Sequence, residues 1–158
     1  MIQRETDRVF VFIDDEVSIS TFREEPRYKA IEQGRRLEEK CGLRCVPITS
    51  RKADGTPITD VSILSKLVAD AIERHPTVAL VVDVIQHKYQ RRGIEILEFL
   101  RRSAPKTLEA LRAIILWSKD SAVRDESDKL AEMFPNQTTA VLDRITQFDE
   151  LVSILSKL

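Results

Sequence analysis

Only four glycines occur in the 158 residues, Gly34, Gly42, Gly55 and Gly93, and no two are close together. A GxGxxG turn or a P-loop needs clustered glycines so that backbone can approach phosphates, so both are excluded. Cysteine is equally scarce. Cys41 and Cys45 stand in CGLRC, which is neither a CxxC motif nor part of a Cys/His set. They read as two reduced packing residues, one at a helix end and one in a strand. The longest apolar runs are five residues (9–13, 78–82 and 113–117), against about 20 for a membrane span. Arg4, Glu5, Asp7 and Arg8 near the start do not suit a signal peptide, so a cytoplasmic location is expected. Excess charge is missing too: 25 Lys and Arg face 26 Asp and Glu, for a net charge of −1. Bulk attraction to nucleic acid or to an anionic membrane is therefore not expected.

What is present is a globular composition, 42% hydrophobic and 32% charged, enough for a core in one domain over 1–158. Residues 8–16 (RVFVFIDDE) read as a buried strand that stops at three acids. A helix is expected over 26–42, with Pro26 in its first turn and Gly42 at its stop. On it Ala30, Ile31, Gly34, Leu37 and Cys41 share a face. A short strand over 43–48, ended by Pro47, leads into a polar loop with an Asp54-Gly55 turn. Thr59 or Asp60 caps the next helix, whose Val61, Leu64, Leu67, Val68 and Ala71 form one stripe. Further strands are expected at 77–84, 111–118 and 138–143, and further helices at 93–102, 120–134 and 148–158. The apolar strands alternate with helices, so the fold class is α/β: a five-stranded parallel sheet, doubly wound, with right-handed crossovers. The heptapeptide VSILSKL stands at both 61–67 and 152–158, and reads as two amphipathic helices converging by chance. The basic cluster Lys88, Arg91, Arg92, Arg101 and Arg102 is diluted by Glu95 and Glu98 and reads as a solvated face.

In an open parallel sheet the ligand sits beyond the carboxyl ends of the strands. Strand one ends in Asp14-Asp15-Glu16, strand three in Asp83, strand four in Ser118-Lys119-Asp120 and strand five in Asp143-Arg144. Carboxylates brought together raise one another's pKa, and a divalent cation removes that cost. All-oxygen ligation selects Mg2+ or a similarly hard ion. A hydroxyl and a cation beside such a site suit a phosphoryl group.

These residues resemble the receiver domain of bacterial response regulators, over about 8–155. FIDDE resembles the acidic pair, which implies Asp14 and Asp15 as metal ligands. LVVDVIQHKYQRRGIEIL resembles the phosphoacceptor segment, which implies Asp83 as the nucleophile and Gly93 as the glycine opening the third helix. The backbone carbonyl of Ile85 is the fourth ligand that the resemblance implies. Ser118 stands where the family has a Ser or Thr, and Arg144 where it has a lysine. Three further departures are Lys119 for a small residue, Val141 for an aromatic and Ile145 for a proline. Arg is not a neutral exchange for Lys, and Lys119 is the rival source of the cation.

The resemblance implies a signalling domain of the flavodoxin-like architecture. Asp83 would take a phosphoryl group from a histidine kinase or phosphotransfer protein with Mg2+, with Ser118 and Arg144 or Lys119 stabilising the transferred group. Self-phosphorylation and autodephosphorylation would be its only catalysis. Its output to a downstream protein or domain would lie on the face of helix four (120–134), strand five (138–143) and helix five (148–158). The chain closes inside that last helix, compatible with excision from a longer protein. Two rivals stand beside this reading: a pseudo-receiver that binds partners without phosphorylation, and a metal-dependent phosphohydrolase or nuclease using the same acids. The bland alternative for Asp14, Asp15, Asp83 and Ser118 is helix capping, and for Arg144 a surface strand end.

Overall fold

A computed structural model describes residues 8–14, 25–49, 52, 56, 58–83, 92–118, 126–144 and 146–158. The apolar runs become parallel strands: β1 (Val9–Asp14), β2 (Arg44–Thr49), β3 (Thr77–Asp83), β4 (Ala113–Ser118) and β5 (Thr138–Asp143). They pair in the order β2-β1-β3-β4-β5, an α/β doubly wound, flavodoxin-like arrangement. Every residue of β3 and β4 is buried, as central strands covered on both faces require.

The helices divide between the two faces. On one side α2 (Val61–Arg74), α3 (Arg92–Ser103), α4 (Pro105–Glu109) and α5 (Ser127–Met133) pack over Val11, Ile13, Leu80, Val82, Ile114 and Leu116. On the other, α1 (Glu25–Cys41) and α6 (Phe148–Ser156) cover Phe10, Phe12, Val81, Ile115 and Trp117. Period-two alternation along β1 thus sends Phe12 to one layer and Ile13 to the other.

The sequence expectations need three amendments. Pro47 does not end β2, which runs to Thr49 with Phe12 opposite Pro47. β2 is an edge strand, where a residue without an N–H is tolerated. Leu67 is 39% exposed and Ile63 50%, so the buried stripe of α2 is Leu64, Ser65, Val68 and Ile72. A short helix, α4, lies where none was expected, with Pro105 in its first turn. The expected helices four and five are consequently α5 and α6, and α5 is described only from Ser127. Asp60 is the residue that caps α2, accepting from the Ser62 backbone N–H at 2.8 Å. Gly42 holds φ at 81°, the left-handed conformation with which a glycine terminates α1.

Cys41 and Cys45 are free thiols at the end of α1 and in β2. A Cβ on Gly34 would meet Cys45 Sγ at 3.0 Å, so the small residue lets α1 lie against β2. The two VSILSKL segments sit on opposite faces of the sheet. Leu64 and Leu155 are both fully buried, but Ser65 is buried where Ser156 is exposed. Among the described residues no helix is long and apolar enough to cross a membrane.

Candidate functional site

Strand order reverses between β1 and β3, and the residues that end those strands face each other in register: Asp14 opposite Asp83. Neighbouring strands lie roughly 4.8 Å apart, so the backbone alone places two acidic positions side by side at the switch point. Asp83 continues the alternation of Ala79 and Val81 toward the α1–α6 layer, and it is buried.

Burying that carboxylate without compensation would be costly. Arg144, the first residue past β5, provides the compensation: its Nη1 donates to Asp83 Oδ2 in a salt bridge whose side chains are 1% (Arg) and 7% (Asp) exposed. Its Nη2 donates to Gln33 Oε1 of α1. The guanidinium also lies over two rings of the same layer, 4.9 Å from the Trp117 centroid and 5.7 Å from that of Phe12. Ring faces carry negative potential, so this setting favours the cation electrostatically as well as by packing. A lysine ammonium could make the ion pair, but it lacks the guanidinium's fork of separate donors that reaches Asp83 and Gln33 at once.

The backbone fixes where this side chain starts. The β4–β5 ladder runs to Ser118 opposite Asp143, and the Arg144 N–H donates to the Ser118 carbonyl at 2.9 Å. Beyond it, the Asp143 N–H donates to Gln147 Oε1 at 2.6 Å and the Gln147 N–H to the Asp143 carbonyl at 2.9 Å. These two hydrogen bonds tie Asp143 to Gln147 across the β5–α6 junction. Trp117 then stacks toward both neighbours, 5.8 Å from Phe12 and 6.3 Å from Phe148 between ring centroids. Arg36 of α1 lies over the Phe148 ring at 4.7 Å. Trp117 Nε1 is buried with no hydrogen-bond acceptor among the described residues.

The residues expected at the site thus meet different fates. Asp83 and Arg144 are in contact, and Asp14 is beside Asp83 in register. Ser118 is buried at the end of β4, but alternation groups it with Ile114 and Leu116, on the face opposite Asp83. Val141 also packs against that other layer. Asp15, Ile85, Lys119 and Ile145 lie outside the described residues, as do Lys88 and Arg91 of the basic cluster, whereas Arg101 and Arg102 are exposed. Gly93, buried in the first turn of α3, is where the expected glycine should stand. Among the described residues no three His, Cys, Asp or Glu side chains group to hold a metal ion. Two of the four expected ligand positions, Asp14 and Asp83, supply the oxygen chemistry a hard cation takes.

Sequence reasoning missed Gln33 and the aromatic cradle. One signal pointed to Gln33: it stands four residues before Leu37 and eight before Cys41, a polar residue on the buried stripe of α1. Comparison with protein-family models, with curated proteins and with solved structures finds no match to this chain.

Proposed function

We propose that the chain is a divergent receiver domain whose Asp83 accepts a phosphoryl group from a histidine kinase or phosphotransfer protein. The observation that carries this reading is the buried carboxylate of Asp83 at the switch point, paired with a cation delivered from the end of β5. A buried, charge-matched carboxylate at the place where an α/β sheet binds ligands is a group prepared for chemistry rather than a solvated cap. Arg144 holds Oδ2, which would leave Oδ1 to attack. In the transfer a P–O bond to Asp83 forms as the bond from phosphorus to the donor breaks, and the leaving group keeps that electron pair. Mg2+ would be held by Asp14, Asp15, Asp83 and the Ile85 carbonyl and would neutralise charge on the phosphoryl oxygens. Arg144 would shift from the carboxylate to the transferred group, where charge-assisted hydrogen bonds are strongest.

One observation favours a second reading, the pseudo-receiver. Phe12, Trp117 and Gln33 enclose the guanidinium in addition to Asp83, so the ion pair is complete without a phosphoryl group. Acetyl phosphate with Mg2+ separates the two. The expected result is an intact mass raised by one phosphoryl group in the wild type and unchanged in Asp83→Asn. An unchanged wild-type mass would favour the pseudo-receiver.

A further inference from the structure

The resemblance that suggests a receiver places its output on the face of α5, β5 and α6, through an aromatic in β5. This chain has Val141 there, and Val141 packs against the α2–α5 layer. The charged site itself is on the opposite face of the sheet, where Arg144 spends its two terminal nitrogens on Asp83 and on Gln33. Gln33 places one of these partners on α1, a helix of the covering layer, and it is half-buried.

We propose that Gln33 is a positioning residue for Arg144, and that occupancy of the Asp83 site is read on the face of α1 and α6. The inference rests on Asp83 being the phosphoacceptor. A phosphoryl group adds roughly −1.5 to −2 charge and three acceptor oxygens just beyond the carboxylate. The guanidinium follows that charge, because hydrogen bonds to ionised acceptors are about twice as strong as those to neutral ones. Its neutral partner, the Gln33 amide oxygen, then loses its donor. A half-buried amide oxygen that loses its donor takes water or a new partner instead, and the first turns of α1 beside it adjust to admit that partner. Arg36, three residues on along α1, lies over Phe148, and Phe148 contacts Trp117, so α6 is tied to the same movement. The guanidinium would thus exchange its present partners, Asp83 and Gln33, for the phosphoryl oxygens, and the contacts that carry the change onward belong to the packed elements α1 and α6.

Fluoroberyllate, a non-covalent phosphoryl mimic, tests this with Mg2+ present. Fluorine NMR reports whether it is bound, and amide NMR reports which helices respond. For the wild type the expected result is a bound fluorine resonance, with amide shifts at 33–37 of α1, at 148–151 of α6 and at the Trp117 indole. Gln33→Ala should keep the bound resonance and lose the α1 shifts. Gln33→Glu gives Arg144 a charged competitor and should weaken fluoroberyllate binding about tenfold. A bound resonance with α1 unmoved, or an unchanged α1 response in Gln33→Ala, would overturn the inference while leaving the phosphoacceptor reading intact. Absence of any bound resonance in the wild type would remove both.

Discussion

Arg144→Met removes the cation from the Asp83 site and keeps most of the side-chain volume. The two partners are 1% and 7% exposed, so solvent screening hardly reduces the effect. Removing one partner of a buried ion pair costs about 3–5 kcal/mol, because the remaining charge is stranded. The cation–ring contacts with Trp117 and Phe12 are lost at the same time, on the order of 0.5–2 kcal/mol for a desolvated cation over rings. These contributions share one side chain and do not simply add. Against a whole-domain stability of about 5–15 kcal/mol, the loss is a large fraction. For a chain of this size it corresponds to a fall in Tm of roughly 6–20 °C. Urea unfolding followed by far-UV circular dichroism measures it, with Trp117, the single tryptophan, as a second probe. Adding Asp83→Asn to Arg144→Met should return part of the loss, since the stranded charge is then gone. A cost below about 1 kcal/mol for Arg144→Met, the range of an exposed pair, would refute a buried and coupled ion pair.

The duplicated heptapeptide offers an internal control. Leu64→Ala and Leu155→Ala should each cost about 2–5 kcal/mol in urea unfolding, and Ile63→Ala, half-exposed, about 0.5 kcal/mol or less. Equal losses at Leu64 and Ile63 would contradict the orientation of α2. Gly34→Ala should be less favourable beside Cys45 than in a Cys45→Ala background, by up to about 1 kcal/mol, because its Cβ would meet Sγ at 3.0 Å. A double-mutant cycle with no coupling would show that α1 and β2 are not in that contact. Burial is the main cause that pushes the Cys41 and Cys45 thiols above their ordinary 9.0, with the Glu38 charge adding to it. Their contribution to stability is complete below pH 9 and is lost as the pH rises beyond it, because the unfolded chain releases those protons first. Between pH 8 and pH 10, Cys41→Ala/Cys45→Ala should therefore lose less stability than the wild type, and parallel losses would contradict this.

The parallel sheet and the strand ends were readable because they rest on short-range pattern. Five-residue apolar runs broken by acids locate β1 and β3, and the alternation of strands with helices orders them. Asp83 and Arg144 could be paired from sequence because both stand just at or after the end of a strand, where topology alone brings them to one rim. Gln33 carries only one signal, a polar residue in line with Leu37 and Cys41, and its partner depends on how α1 rotates over the sheet. The buried stripe of α2 went wrong for a related reason. Leu67 is apolar and at helical spacing, yet Ser65 takes the inner position, its hydroxyl reaching the Ile96 carbonyl at 3.5 Å. Two copies of VSILSKL with different burial at Ser65 and Ser156 show that the partner surface, not the heptapeptide, decides. Position along β4 is all that places Ser118 in the sequence, and the structure puts it buried at the end of that strand, in register with Asp143.

The most direct test of Asp83 as phosphoacceptor is reductive trapping after incubation with acetyl phosphate and Mg2+. Borohydride converts an aspartyl phosphate to homoserine, and peptide mass spectrometry then reads which residue carried the group. The expected result is homoserine in place of Asp83, absent when donor or metal is omitted and absent from Asp83→Asn. Homoserine at another aspartate, or none at all in the complete reaction, would contradict it.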